Sequence, residues 1–218
     1  MGMALGTGKH RAERYRPTVR GRLITIEGID GAGKSTLAHA LRGALEHVRP
    51  VRLLREPGGV ELSERVRELV TDPALRCDPR AEALLYAAAR AQLVDERLAP
   101  WLEEGSWVLL DRFVDSSLAY QGAGRELGVE EIRHLNAFAT GGLAPDRTLL
   151  LRVDPAVGRD RIATREPDRL EQAGEDFFAA VARAYDELAA AEPERFAVID
   201  AARPPEQVLA DAFAALGL

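Results

Sequence analysis

Twelve residues, Thr25 to Thr36, constrain this chain more than any others: TIEGIDGAGKST. A β-branched run, RLITIEG, leads into them, and an apolar stripe at Leu37, Leu41, Leu45 and Val48 follows. That pattern predicts a strand, a loop and then a helix over Lys34–Val48. The loop reads Gly28-x-x-x-x-Gly33-Lys34-Ser35, which is the Walker A spacing in the context it requires. Its glycines let the backbone curl until successive N–H groups converge on one point, and the helix N-terminus adds its dipole. Gly28, Ile29, Asp30, Gly31, Ala32, Gly33, Lys34, Ser35 and Thr36 are therefore expected to cradle a nucleotide triphosphate. Lys34 would put a compact charge on the β- and γ-phosphates, and the Ser35 hydroxyl would ligate Mg²⁺.

The rest of the chain alternates. VRLLRE, WVLLD, RTLLLRV and FAVID read as further strands. Helices are expected at 62–70, 80–104, 129–140, 176–192 and 205–216, with one more opening at Asp154 as N-cap and Pro155 as its first residue. Short apolar strands alternating with helices predict an α/β fold, a parallel sheet covered on both faces. Asp111 ends the apolar run Val108–Leu110 and would serve the metal as a Walker B acid.

With 218 residues the chain suits one domain with at most an inserted lid. It has no apolar run near the 18 residues that a membrane helix needs. The single cysteine, Cys77, rules out an internal disulfide, so a reducing, cytoplasmic setting is expected. Residues 1–21 carry five Lys/Arg against one Glu, which leaves the remainder near −10 in a chain of net charge −6. An acidic body argues against a nucleic-acid binder. The leader lacks the apolar core of a secretory signal and the myristoylation pattern. We read 1–21 as a disordered extension outside the fold, with a transit peptide as the alternative.

A phosphate-binding loop serves switches, motors and kinases alike. An Asn-Lys-x-Asp base-reading motif is impossible, because the lysines are Lys9 and Lys34. Arg112 stands after Asp111 where a hydrolase commonly has Glu, which suits a second phosphate better than water. REPGG (55–59) follows a strand, at the edge where α/β proteins bind ligands. Tyr86 and Arg90 are four apart on one helical face. DRFVDSSLAYQGAGR (111–125) runs from the Walker B strand into what reads as a loop rich in hydrogen-bonding groups.

Taken in order, IEGIDGAGKST, REPGG, LLYAAARAQ, DRFVDSSLAYQGAGR and DRLE resemble the bacterial thymidylate kinases from about Arg22 to the C-terminus. The resemblance implies a P-loop NTPase fold over 22–218, with a five-stranded parallel sheet and a short helical lid at about 154–174. It also implies ATP-dependent phosphorylation of dTMP to dTDP, with Mg²⁺, usually in a homodimer. Asp30 would then sit by the deoxyribose and metal, and Arg112 would grip the dTMP phosphate. Arg55 and Glu56 would line the acceptor site, together with Gln121. Tyr86 takes the place of an aromatic, commonly Phe, that stacks on thymine. Arg90 would meet thymine O4, Ser117 would lie near the N3 edge, and Tyr120 would crowd the 2′ carbon. An arginine at O4 suits thymine and meets a donor amino group in cytosine. DRF stands where DRY is commoner.

Arg161, Arg165 and Arg169 recur every four residues after Asp154, which would put the first two on one helical face. The loop has Gly31 and Ala32 where some thymidylate kinases carry an arginine. Members without it place one in the lid, so the resemblance implies Arg165 first and Arg161 second at the triphosphate. No general base is needed, since the acceptor is already an anion. A kinase for a deoxynucleoside or another monophosphate, or a non-catalytic nucleotide-binding regulator, stays open as an alternative.

Overall fold

The protein is described by a computed structural model covering residues 19–163 and 166–218; the leader to residue 18, Thr164 and Arg165 lie outside the described residues. Five strands form one sheet: β1 (Leu23–Glu27), β2 (Val51–Arg55), β3 (Trp107–Asp111), β4 (Arg147–Arg152) and β5 (Phe196–Asp200). All four pairings are parallel, in the order β2-β3-β1-β4-β5. The strands of the sheet's middle are buried on both faces. Ile24, Ile26 and Leu109 enter a large apolar cluster on one side, while Leu23, Val108 and Leu110 enter a second cluster on the other. Hence these strands read as continuous apolar runs.

The helix α1 (Lys34–Leu45) buries Leu37, Ala38, Leu41 and Leu45. Val48, placed on that stripe by the sequence pattern, lies past the helix end and is exposed. After α2 (Glu61–Thr71), α3 (Pro79–Leu93) opens with Asp78 accepting from the Arg80 N–H and Pro79 at the first position. A π turn, Val94–Leu98, joins α3 to α4 (Ala99–Glu103). Pro100 sits just beyond it, and its ring would clash with the fourth carbonyl back in regular α geometry.

The segment after β3 departs from expectation. It is not a loop: α5 (Val114–Ser117) runs straight into a π-helical turn, Leu118–Gly124. Packing accounts for Gly124, where a Cβ would lie 2.6 Å from the Phe177 ring. The remaining helices are α6 (Val129–Thr140), α7 (Pro155–Ile162), α8 (Glu175–Ala191) and α9 (Pro205–Leu216). Asp154 caps α7 as expected, accepting from the Ala156 N–H at 2.8 Å. α7 ends at Ile162, so Arg161 stands in its last turn, while Arg165, expected on the same face, lies outside the described residues.

Candidate active site

The glycine loop leaves β1 at the sheet's carboxyl edge and enters α1 through Gly33, whose φ of 93° favours glycine. Lys34 is buried and its Nζ donates to the carbonyls of Gly28 (3.1 Å) and Ile29 (2.8 Å). Burial and the nearby Arg112 charge depress its pKa to about 8, against the pull of Asp30 and Asp111. Gly31 and Gly158 touch backbone to backbone. A Cβ at Gly31 would lie 2.0 Å from the Gly158 carbonyl, and one at Gly158 would lie 2.6 Å from the Asp30 carbonyl. This contact seats α7 on the loop. From there Arg161 donates to Gly31 O (3.3 Å) and Ala201 O (3.0 Å).

Ser35 Oγ donates to Asp111 Oδ2 at 2.7 Å. Two hard oxygen ligands converge there beside the phosphate cradle, a donor set that fits Mg²⁺ completed by phosphate oxygens and water. Asp30, the third residue expected at the metal, directs its carboxylate elsewhere. Its Oδ1 pairs with Arg112 Nη2 at 2.5 Å and its Oδ2 accepts from Tyr120 at 3.0 Å. Burial would raise its pKa, but the Arg112 and Lys34 charges prevail and hold it well below the usual range. Among the described residues no three His, Cys, Asp or Glu side chains cluster as a metal site.

Arg112 follows β3 with φ at 71°, the left-handed region that few non-glycine residues adopt. That twist turns its side chain back over the sheet edge. The guanidinium donates to Gly28 O (3.1 Å), Ser116 Oγ (3.1 Å) and Tyr120 Oη (3.2 Å) as well as to Asp30. Beneath it lies Glu27, fully buried at the end of β1. Glu27 accepts from the Phe113 N–H (2.7 Å), Ser116 (2.6 Å) and Tyr185 (2.9 Å), so it fixes the turn that carries Arg112. Burial, with Asp115 nearby, pushes its carboxyl pKa up.

Arg90 is 1% exposed and makes four hydrogen bonds besides a close ion pair. Nε and Nη2 hold Glu56 Oε2 at 2.7 and 2.6 Å, Nη1 reaches Ser117 (2.9 Å) and Asn136, and Nη2 also reaches Phe113 O (3.0 Å). The contact expected with thymine O4 would come from a guanidinium already bonded to four protein acceptors. Burial raises the Glu56 pKa to about 7 despite Arg90, and Glu56 Oε1 has no hydrogen-bond partner among the described residues.

These residues wall two clefts. The outer one, of about 660 Å³, is lined by the glycine loop, Arg55, Asp111, Arg161, Ala201 and Arg203. A narrower inner one, of about 210 Å³, is lined by Tyr86, Arg90, Ser116, Ser117, Tyr120, Gln121 and the segment around Leu170. Asp30, Glu56, Arg67 and Arg112 line both. Arg55 thus opens on the outer cleft, where it pairs with Glu64 at 3.0 Å, and not on the inner one. Arg67, which donates to Pro57 O, went unnoticed in the sequence because a lone arginine on an exposed helix face carries no signal. Glu27 and Glu82 were missed too. An acid inside an otherwise apolar strand, as in RLITIEG, is the mark that could have found Glu27.

A phosphate loop at the edge of a parallel sheet, with a second cleft meeting the first over a strained arginine, defines a P-loop nucleotide kinase. The family model for thymidylate kinase matches residues 26–212. Thymidylate kinase of Deinococcus radiodurans is 51% identical over 199 residues, covering 90% of this chain and 97% of its own. That of Bifidobacterium longum subsp. infantis is 51% identical over 193 residues, covering 86% and 82%. The crystal structure of thymidylate kinase from Ehrlichia chaffeensis superposes with a TM-score of 0.75 at 30% identity, covering 90% of this chain and 99% of that one. The chain belongs to the thymidylate kinase family.

Proposed function

We propose that the chain transfers the γ-phosphoryl group of ATP to dTMP, giving dTDP and ADP, with the donor in the outer cleft and the acceptor in the inner one. The observation that carries this reading is the shared wall. Arg112 and Asp30 stand where a phosphate from each side would meet.

The triphosphate takes the place of the Gly28 and Ile29 carbonyls as the partner of Lys34, and Arg161 approaches it from α7. Mg²⁺ held by Ser35 and Asp111 would neutralise phosphate charge and align the β- and γ-oxygens. Arg112, oriented by Asp30 and Ser116, binds the acceptor phosphate, so the transfer proceeds by positioning and charge neutralisation. Tyr86 covers the thymine ring, while Arg90, Ser117 and Gln121 face its polar edge. Tyr120, whose hydroxyl is tied to Asp30, fills the space that a ribose 2′-hydroxyl would need. The lid spans about 154–174 within a single 22–218 domain.

The chain works as a homodimer in the cytoplasm on this reading. Leu84 on α3 is 58% exposed and Phe138 on α6 is 89% exposed, on two helices packed side by side. Two large apolar groups on adjoining helices suit a surface that a second copy covers. No helix among the described residues is long and apolar enough to cross a membrane.

The test is an acceptor screen with ATP, following ADP release. The reading requires dTMP to be the preferred acceptor among nucleoside monophosphates and thymidine. Preference for thymidine would make the chain a nucleoside kinase, and ATP binding without any accepted substrate would make it a regulator.

A further inference from the structure

Glu82 stands on α3 one turn before Tyr86 and has no exposed surface. A buried carboxylate persists only where cations or donors compensate it. Here three residues do so. Gln121 donates its amide N–H at 2.9 Å, and Arg125, which ends the π turn, donates from Nε (3.3 Å) and Nη2 (3.2 Å). Arg169 brings Nη2 to 2.7 Å from Glu82 Oε2, close enough for an ion pair although its N–H bonds are not aligned on that oxygen. Arg169 is also anchored to α2, through Nε to Val70 O (2.9 Å) and its backbone N–H to Thr71 O (3.2 Å).

The residues around Arg169 form a strap. Asp168 accepts from the Leu170 and Glu171 N–H groups, both at 2.9 Å, which folds 168–171 into a tight turn. Asp168, Leu170 and Glu171 line the inner cleft together with Tyr86 and Ser117. Gln121 lines it as well, and spending its nitrogen on Glu82 sets which end of the amide a ligand meets.

We propose that Glu82 is a positioning residue for the phosphoryl acceptor: one buried carboxylate that holds the strap, through Arg169, and the Gln121 amide against the base end of the inner cleft. It touches no substrate itself. The proposal rests on reading the inner cleft as the acceptor site. Donor binding lies on the far side of Arg112 and is independent of it.

Glu82→Gln keeps the shape and removes the charge; Arg169→Met removes its strap partner. Each should raise KM for dTMP about ten-fold, on the scale of coupling within one network. KM for ATP should stay within about two-fold, since no donor group is touched. The double variant should be no worse than the worse single one, and amides of 168–173 should exchange faster with solvent in each. Proportional loss for both substrates, additive effects, or a wild-type KM for dTMP in Arg169→Met would overturn the proposal. Should Glu82→Gln fail to fold, Arg169→Met gives the same kinetic and exchange readouts alone. Tyr86→Ala separates the two levels. If it too leaves KM for dTMP unchanged, the acceptor reading fails; if it raises that constant while Glu82→Gln does not, only the role of Glu82 fails.

Discussion

Lys34 is the buried amine of the glycine loop, held by the Gly28 and Ile29 carbonyls at the start of α1. We expect Lys34→Ala to fold normally and lose on the order of 10²–10³-fold in turnover, the scale of one removed transition-state donor; near-normal steady-state rates would contradict this. Its pKa of about 8 adds a pH signature. A bound triphosphate favours the charged amine, so above pH 8 binding must take up a proton. ATP affinity should therefore fall as pH rises past about 8, and titration calorimetry in buffers of differing ionisation enthalpy checks it. Arg90 was legible as a cleft residue from its spacing to Tyr86, but its four hydrogen bonds were not, since Glu56, Phe113, Ser117 and Asn136 lie far away in sequence. Arg90→Ala should accordingly do two things. It should raise KM for dTMP more than for ATP, and it should cost about 1–3 kcal/mol of stability by leaving the buried acceptors Glu56, Ser117, Asn136 and Phe113 O without their donor, measurable by denaturant unfolding.

At the scale of elements, the strands and most helices followed from apolar periodicity. The stretch from Val114 to Gly124 did not. It read as a loop, whereas the stretch packs on α8 as a widened helix that buries Tyr120 and Gln121. The seat of α7 was equally hidden, because nothing in the sequence pairs Gly31 with Gly158. Adding a methyl at Gly158 would place it 2.6 Å from a backbone oxygen that cannot swing aside. Gly158→Ala should push α7 off the loop and lower kcat, while a folded protein with wild-type kcat would show that the contact is dispensable. Arg161 travels with that helix. If it acts on the transferring phosphate, Arg161→Ala should lower kcat and kcat/KM together with KM for dTMP unmoved. A rise confined to KM for ATP would make it an anchor instead. Arg165, the first choice from the resemblance, lies outside the described residues.

Across the whole molecule, strand order brings the carboxyl ends of β1 and β3 together, so that the loop, Asp111 and Arg112 share one edge. The fold class was legible, but the order of the strands and the meeting of two clefts were not, being products of crossovers that local patterns do not encode. The exposed Leu84 and Phe138 belong to this scale too. Phe138→Asp should leave a folded monomer in sedimentation velocity, whereas an unchanged dimer would place the interface elsewhere. The central claim is that donor and acceptor occupy separate clefts joined at Arg112, and a crystal structure with dTMP and a non-hydrolysable ATP analogue tests it most directly. The account predicts thymine against Tyr86, its 5′-phosphate on Arg112, and the triphosphate on Lys34. A dTMP phosphate seated in the glycine loop, or a thymine remote from Tyr86, would contradict it.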